Sequence, residues 1–236
     1  MADPRALAER APDLLVRALA RLACRVTEAP WALDAAELAA ARAAALSDEA
    51  IVHVVLLAAL FGHFNRMADA VGIELDYGVR LTPPHAEPAT PAYLKPAPAD
   101  WPLPTAGDGA EDSIRVGLRA AALPLLEPWQ AHVWGQGPLA PHQRSLIRRT
   151  VAECLGDGAT VQALDVAPAS PLDAALVATA DEVARAPWRL GAGTVARLRS
   201  AGLSDDVEIF DAIATASSCT TFSRIRVALA ALNRRD

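Results

Sequence analysis

The sequence predicts an all-α protein built from two related helical units, and three observations point that way. The 236 residues are 53% apolar but only 5% aromatic. That apolar content is mostly Ala, Leu and Val, which gives helix formers the largest share and leaves strand formers unenriched. Helix start and stop signals recur along the chain at helical spacing. The third observation is an internal repeat: residues 29–48 and 186–205 read as one segment twice. Ala29-Pro30-Trp31-Ala32-Leu33 runs on to Leu46-Ser47-Asp48, and Ala186-Pro187-Trp188-Arg189-Leu190 runs on to Leu203-Ser204-Asp205. Each copy leads into a long apolar stretch with Arg near its middle. A repeat of this kind sets the architecture before any single residue does.

Taken in order, Asp3-Pro4 is a cap followed by Pro at the first helical position, so a helix is expected from there to about Arg25. Asp34 with Glu37 three residues on resembles a capping box and opens a short helix to about Ala44. Ser47 caps a long helix with Asp48 and Glu49 in its first turn, where the macrodipole favours negative charge, and Gly72 is its expected end. Ile51, Val54, Val55, Ala58, Leu60 and Phe61 cover most of its circumference, so this helix is expected to be buried in the core or in a subunit interface. Residues 80–110 carry eight prolines, Pro83 to Pro104, which forbid regular helix. They read as a linker between a first unit, 1–79, and a second, 111–236. Helices are expected to resume near Glu111. Pro141 starts one that ends before Gly156. Ser170-Pro171-Leu172-Asp173 starts another. Ser204, with Asp205 and Asp206, opens the last, mirroring Ser47. Trp31 and Trp188 are read as core anchors, while Trp101, Trp129 and Trp134 could line a cleft.

The formal charge of −6 is mild and argues against a nucleic-acid groove, which wants a basic face. Cys24, Cys154 and Cys219 lie far apart, with no CxxC and no metal-ligand spacing, and read as reduced thiols. No metal and no cofactor is expected. The N-terminus has acidic residues and no compact apolar core, so no leader is expected. The longest apolar run, Val54 to Phe61, is far short of the roughly 20 residues of a membrane span. A cytoplasmic protein without membrane or nucleic-acid partners is therefore expected.

The order helix, Ala-Pro-Trp turn, short helix, Leu-Ser-Asp cap and long helix with Phe64-Asn65-Arg66-Met67-Ala68-Asp69 resembles the alkylhydroperoxidase D-like, or carboxymuconolactone decarboxylase, superfamily, nearest its peroxidase-related branch. The second half carries Gly202-Leu203-Ser204-Asp205 and Phe222-Ser223-Arg224. The likeness covers residues 10–75 and 140–232. It implies duplicated helical units, a homodimer or higher homo-oligomer, and, in family peroxidases, a Glu and a Cys-x-x-Cys-x-x-x-His string on one helix. That chemistry needs two thiols within disulfide reach and a proton shuttle. The helix in the matching place, His142 to Asp157, has one cysteine, Cys154, and no second Cys or His after it. The fold transfers; the peroxidase activity does not.

His63, Asn65, Arg66 and Asp69 form the densest polar group on the long helix, with His63, Arg66 and Asp69 three apart along one face. One reading is structural: an Arg66–Asp69 pair and a hydrogen-bonded His63. The other makes His63 an acid or base and Arg66 the grip on a carboxylate, with Asn65, Asp69 and His53 lining the site. His53 alone reads as a core histidine. His85, His132 and His142 lack ligand-like spacing. Cys154, beside Glu153, would have its thiol pKa raised by the neighbouring acid, and Cys219 reads as packing. Three functions follow. One is a small-ligand binder or pseudoenzyme without the cysteine pair. Another is an acid–base enzyme acting on a small carboxylated substrate through His63 and Arg66. The third is residual thiol peroxidase activity at Cys154 or Cys219.

Overall fold

The computed structural model describes residues 9–11, 13–73 and 123–233. The expected helix start at Asp3-Pro4, the proline-rich segment 80–110, the resumption near Glu111, Trp101 and His85 lie outside the described residues. Among those described, the protein is all-α.

Helix α1 spans Leu14–Glu28, so the single helix expected to run to about Arg25 has a start at Asp13. Asp13 caps it, accepting from Leu15 N at 2.6 Å and Val16 N at 3.3 Å. A tight 3₁₀ turn, Pro30–Ala32, follows, then α2, Ala35–Ala43. Asp34 caps α2 through Glu37 N at 2.8 Å. The reciprocal half of the capping box is missing, because the Glu37 carboxylate takes Arg25 Nε at 2.8 Å. Ser47 caps α3, Asp48–Val71, and Gly72 ends it at φ 68°, the left-handed region that glycine adopts at little cost.

The second described stretch opens with α4, Leu123–Gly135, followed by α5, Pro141–Leu155, which stops at Gly156 with φ 69°. Then come α6, Gly158–Ala163, and α7, Pro171–Arg185, capped by Ser170. The 3₁₀ turn Pro187–Arg189, α8, Ala192–Ala201, and α9, Asp206–Asn233, complete the chain.

Both stretches run helix, 3₁₀ turn, short helix, long helix, with closely similar turn angles. Ala29 sits at φ −150°, ψ 67° and Ala186 at φ −149°, ψ 60°. The two copies keep a constant offset of 157 residues, yet the cap of the last helix moves one residue on, from the expected Ser204. Asp205 caps α9, accepting from Val207 N at 2.8 Å, while Glu208 reaches back to Asp205 N at 3.3 Å.

The central helix is α9, not α3. It packs on α3, α5 and α7 and is buried almost all round from Ala212 to Leu229. The sequence hides this because the middle of α9 is rich in hydroxyls (Thr215, Ser217, Ser218, Thr220, Thr221 and Ser223). Small side chains let helices approach closely, and each hydroxyl can satisfy itself on a nearby carbonyl. Thr220 does so on Ser217 O at 2.7 Å. Two apolar clusters flank α9. Its Ile209–Phe222 portion joins the cluster of α5, α7 and α8, and Ile225, Ala228 and Leu229 join that of α1, α2 and α3.

On α3, Ile51 and Val55 are buried as expected, but Phe61 is 60% exposed. With Leu57, Phe64 and Val71 it forms an outward apolar stripe at spacings of four, three and seven residues, the a/d rhythm of a helix seam. By length and composition α3, at 24 residues, is long and apolar enough to cross a bilayer, the one such helix among the described residues. Here it packs against α1 and α9, with Arg66 buried. Trp31 is core at 8% exposed, but Trp188 stands at the rim at 37%, against expectation. The turn around Trp188 buries Pro187 and leaves Trp188 partly exposed.

Candidate functional site

Hydrogen bonds fix where α3 and α9 cross. Ser217 Oγ lies 2.9 Å from His63 Nδ1 and 3.2 Å from His63 O, while Thr221 Oγ1 donates to Ala59 O at 3.3 Å. Residues 217 and 221 therefore face 63 and 59, so the helices run antiparallel. His63 is half-buried. Its ring meets Trp129 at 5.2 Å, and Trp129 in turn meets Phe222 at 4.7 Å, both edge-on. Burial holds the His63 pKa below its ordinary value, opposed by the Ser217 contact and assisted by the Arg66 charge. When the Ser217 hydroxyl donates to the His63 carbonyl, Nδ1 carries the ring proton and Nε2 is left as a free base. Trp129 thus reaches the neighbourhood of His63, and Trp134 packs on the far side of Phe222 at 6.2 Å.

Arg66 does not form the expected pair with Asp69. Its side chain runs back one turn, and Nη1 donates to Gly62 O at 2.9 Å. A Cβ at Gly62 would stand 2.9 Å from that nitrogen, so a larger residue there asks the end of the Arg66 side chain to shift. The guanidinium is buried, its Nε has no hydrogen-bond partner, and its charge meets Asp69 only at longer range. Burial pulls the Arg66 pKa down to about 10. Burial also raises that of Asp69, against the pull of Arg66. The α9 arginine repeats the geometry: Arg224 Nη1 donates to Thr220 O, again four residues back, at 3.3 Å. Its Nε reaches Thr27 O at 3.1 Å, in the last turn of α1, where a cation meets the negative end of the helix dipole. Burial, and then the charge of Arg66, push Arg224 well below its usual range. Asn65 and His53 are exposed on α3, so the core reading of His53 fails, and neither joins His63 and Arg66 in a hydrogen-bonded group.

The thiols lie elsewhere. None of the three cysteines is in a disulfide. Cys154 is buried against Asp181, its Sγ 3.4 Å from Oδ1. Burial first, and then the Asp181 charge, push it up to about 12, with neighbouring Glu153 a minor contributor. Cys219 is pushed up to about 12 by burial, although Arg148, Arg226 and Arg144 pull the other way. His132 pairs with Gln136 at 2.9 Å, and His142 lies 3.5 Å from Asp173. No group of three or more His, Cys, Asp or Glu side chains among the described residues could hold a metal ion.

Sequence reasoning missed two buried ionic groups on α9. Arg144 donates to Val133 O at 2.6 Å and Thr215 Oγ1 at 3.0 Å, and pairs with Asp211. Asp157 accepts from Thr160 N at 3.2 Å, Ser223 Oγ at 2.9 Å and Arg226 Nη1 at 2.5 Å. Beside them Arg148 stacks on Trp134, 4.0 Å from its ring centre. No local spacing marks them, because Arg144 and Asp211 lie 67 residues apart and Asp157 and Arg226 lie 69 apart. No protein-family model, curated protein or solved structure matches the chain.

Proposed function

We propose that this chain is a divergent alkylhydroperoxidase-like, carboxymuconolactone decarboxylase-like helical protein without thiol peroxidase activity, and that it binds a small anionic ligand where α3 and α9 cross. The observation that carries the reading is Arg66, a buried guanidinium with one carbonyl contact and an orphan Nε, beside a second buried cation and with no carboxylate bonded to it. Buried charge is costly unless compensated, and a ligand carboxylate is the natural compensation. His63, one turn away, supplies a neutral imidazole for orientation. Cys154 and Cys219 support the other half of the reading, since a group held near 12 is almost wholly protonated at neutral pH and is a poor nucleophile.

A second reading makes the same site an acid–base enzyme on a small carboxylated substrate, favoured by the depressed pKa of His63, which leaves a base available at neutral pH. The apolar stripe Leu57, Phe61, Phe64 and Val71 supports homo-oligomer formation. Unbridged cysteines fit a reducing, cytoplasmic setting.

Calorimetric titration with formate, acetate and small dicarboxylates tests the ligand reading. Saturable binding lost in both Arg66→Gln and His63→Ala is expected. A wild-type protein that binds none of them would overturn it.

A further inference from the structure

Away from the crossing, α1 and α2 enclose a cleft of about 510 Å³. That lies within the range of about 300–1,000 Å³ typical of small-molecule sites. Leucine and alanine side chains from both helices form its walls, and more of its surface is apolar than polar. Its polar rim is one-sided. Arg17, Arg21 and Arg25, spaced four apart on α1, present three guanidiniums along one helix face. Two carboxylates answer them: Glu9 takes Arg21 Nε at 2.6 Å, and Glu37 takes Arg25 Nε at 2.8 Å. Arg17 has no carboxylate hydrogen-bonded to it among the described residues, though its charge is felt by Glu9. The hydrogen bond it makes there runs from Nη2 to Ala11 O at 2.8 Å, and its Nε is buried with no partner among those residues.

We propose that the cleft between α1 and α2 binds an amphipathic monocarboxylate, its apolar body between the two helices and its carboxylate on Arg17. Among the described lining residues three cations face two anions, which one further anion would balance, and the apolar walls match an apolar chain or ring. The cleft is separate from the α3–α9 crossing and does not depend on the function proposed there. A guanidinium edge that holds no hydrogen-bonded acid among the described residues is suited to a carboxylate, which it can take through two N–H groups at once.

The cleft contains its own reporter. Cys24 lines it, half-buried, while Cys154 and Cys219 are buried elsewhere. The test follows N-ethylmaleimide alkylation of Cys24 in the native protein, with octanoate as the probe. Octylamine has the same apolar body without the negative charge; acetate has the charge without the body. Octanoate is expected to slow alkylation saturably, and neither control is expected to do so. Arg17→Met, which keeps most of the stem and removes the charge, should weaken octanoate binding by roughly tenfold or more. Ala40→Phe, on the exposed wall of α2, fills the cleft without touching the core and should abolish protection even if Arg17→Met fails to fold. Calorimetry with octanoate on the wild type and Ala40→Phe gives a direct second measurement. Equal protection by octanoate and octylamine, undiminished binding in Ala40→Phe, or no octanoate heat with wild type would overturn the proposal. Acetate binding at Arg66 is read separately, since it leaves Cys24 unprotected.

Discussion

Removing the Asp157 carboxylate is expected to destabilise the protein more than any exposed charge change. Asp157 is 1% exposed and sits in the Gly156-Asp157-Gly158 connection between α5 and α6. It ties that connection to α9 through Ser223 and Arg226, and caps α6 through Thr160. Asp157→Ala leaves Arg226, only 13% exposed, with an uncompensated charge. Breaking a buried ion pair on one side costs about 3–5 kcal/mol, so about 4 kcal/mol is expected. For a domain of this size each kcal/mol moves the midpoint by roughly 2–4 °C, which gives a fall of roughly 8–16 °C. Urea unfolding monitored by circular dichroism measures the free energy, and calorimetry measures the midpoint. Arg42→Ala is the control. Its pair with Asp48 is 45% and 69% exposed, so a loss of about 0.5 kcal/mol or less is expected. Adding Arg226→Met to Asp157→Ala should recover about 1 kcal/mol or more, because it removes the orphaned cation. A loss for Asp157→Ala no larger than the control, or no recovery in the double variant, would refute the reasoning.

Four further outcomes follow. Cys154 and Cys219, each held near 12, should resist a thiol-specific dye in native protein at pH 8, where about one part in ten thousand is thiolate, and all three cysteines should react after denaturation. Gly62→Ala should shift urea-unfolding stability by less than about 1 kcal/mol, because the gain of Ala inside the helix offsets the small shift asked of the Arg66 side-chain end. The folded pKa of His63 lies below 6.5, so its protonation is harder in the folded than in the unfolded chain. That penalty is absent above pH 6.5 and grows as pH falls below it, so wild type should lose more stability than His63→Gln between pH 6.5 and 5. Phe61→Glu, at a position 60% exposed, should leave the unfolding midpoint within a few degrees while driving any oligomer seen by sedimentation toward monomer.

Local signals survived folding best. Ser47, Gly72, Pro141, Gly156 and Ser170 each act on backbone groups within four residues, so their roles could be read from spacing alone. The signal at Ser204 failed because Asp205 competes for the same role with Glu208 in support. Burial was harder to read. The apolar helix α3 keeps an exposed seam at Phe61, while the hydroxyl-bearing α9 fills the centre, because closeness of approach favours small side chains over hydrophobic ones. At the candidate site, i+3 spacing suggested an Arg66–Asp69 pair, yet the carbonyl of Gly62 was nearer. The partners of Arg66, Asp157 and His63 depend on how helices distant in sequence come together, and no local pattern encodes that.

The most direct measurement is turnover of hydrogen peroxide and an organic hydroperoxide by purified protein with a dithiol reductant, run beside a variant with all three cysteines changed to serine. Turnover at the background rate in both proteins is predicted, because both buried thiols are held protonated. Robust wild-type turnover that disappears in the serine variant would contradict the account and put the chemistry at a cysteine.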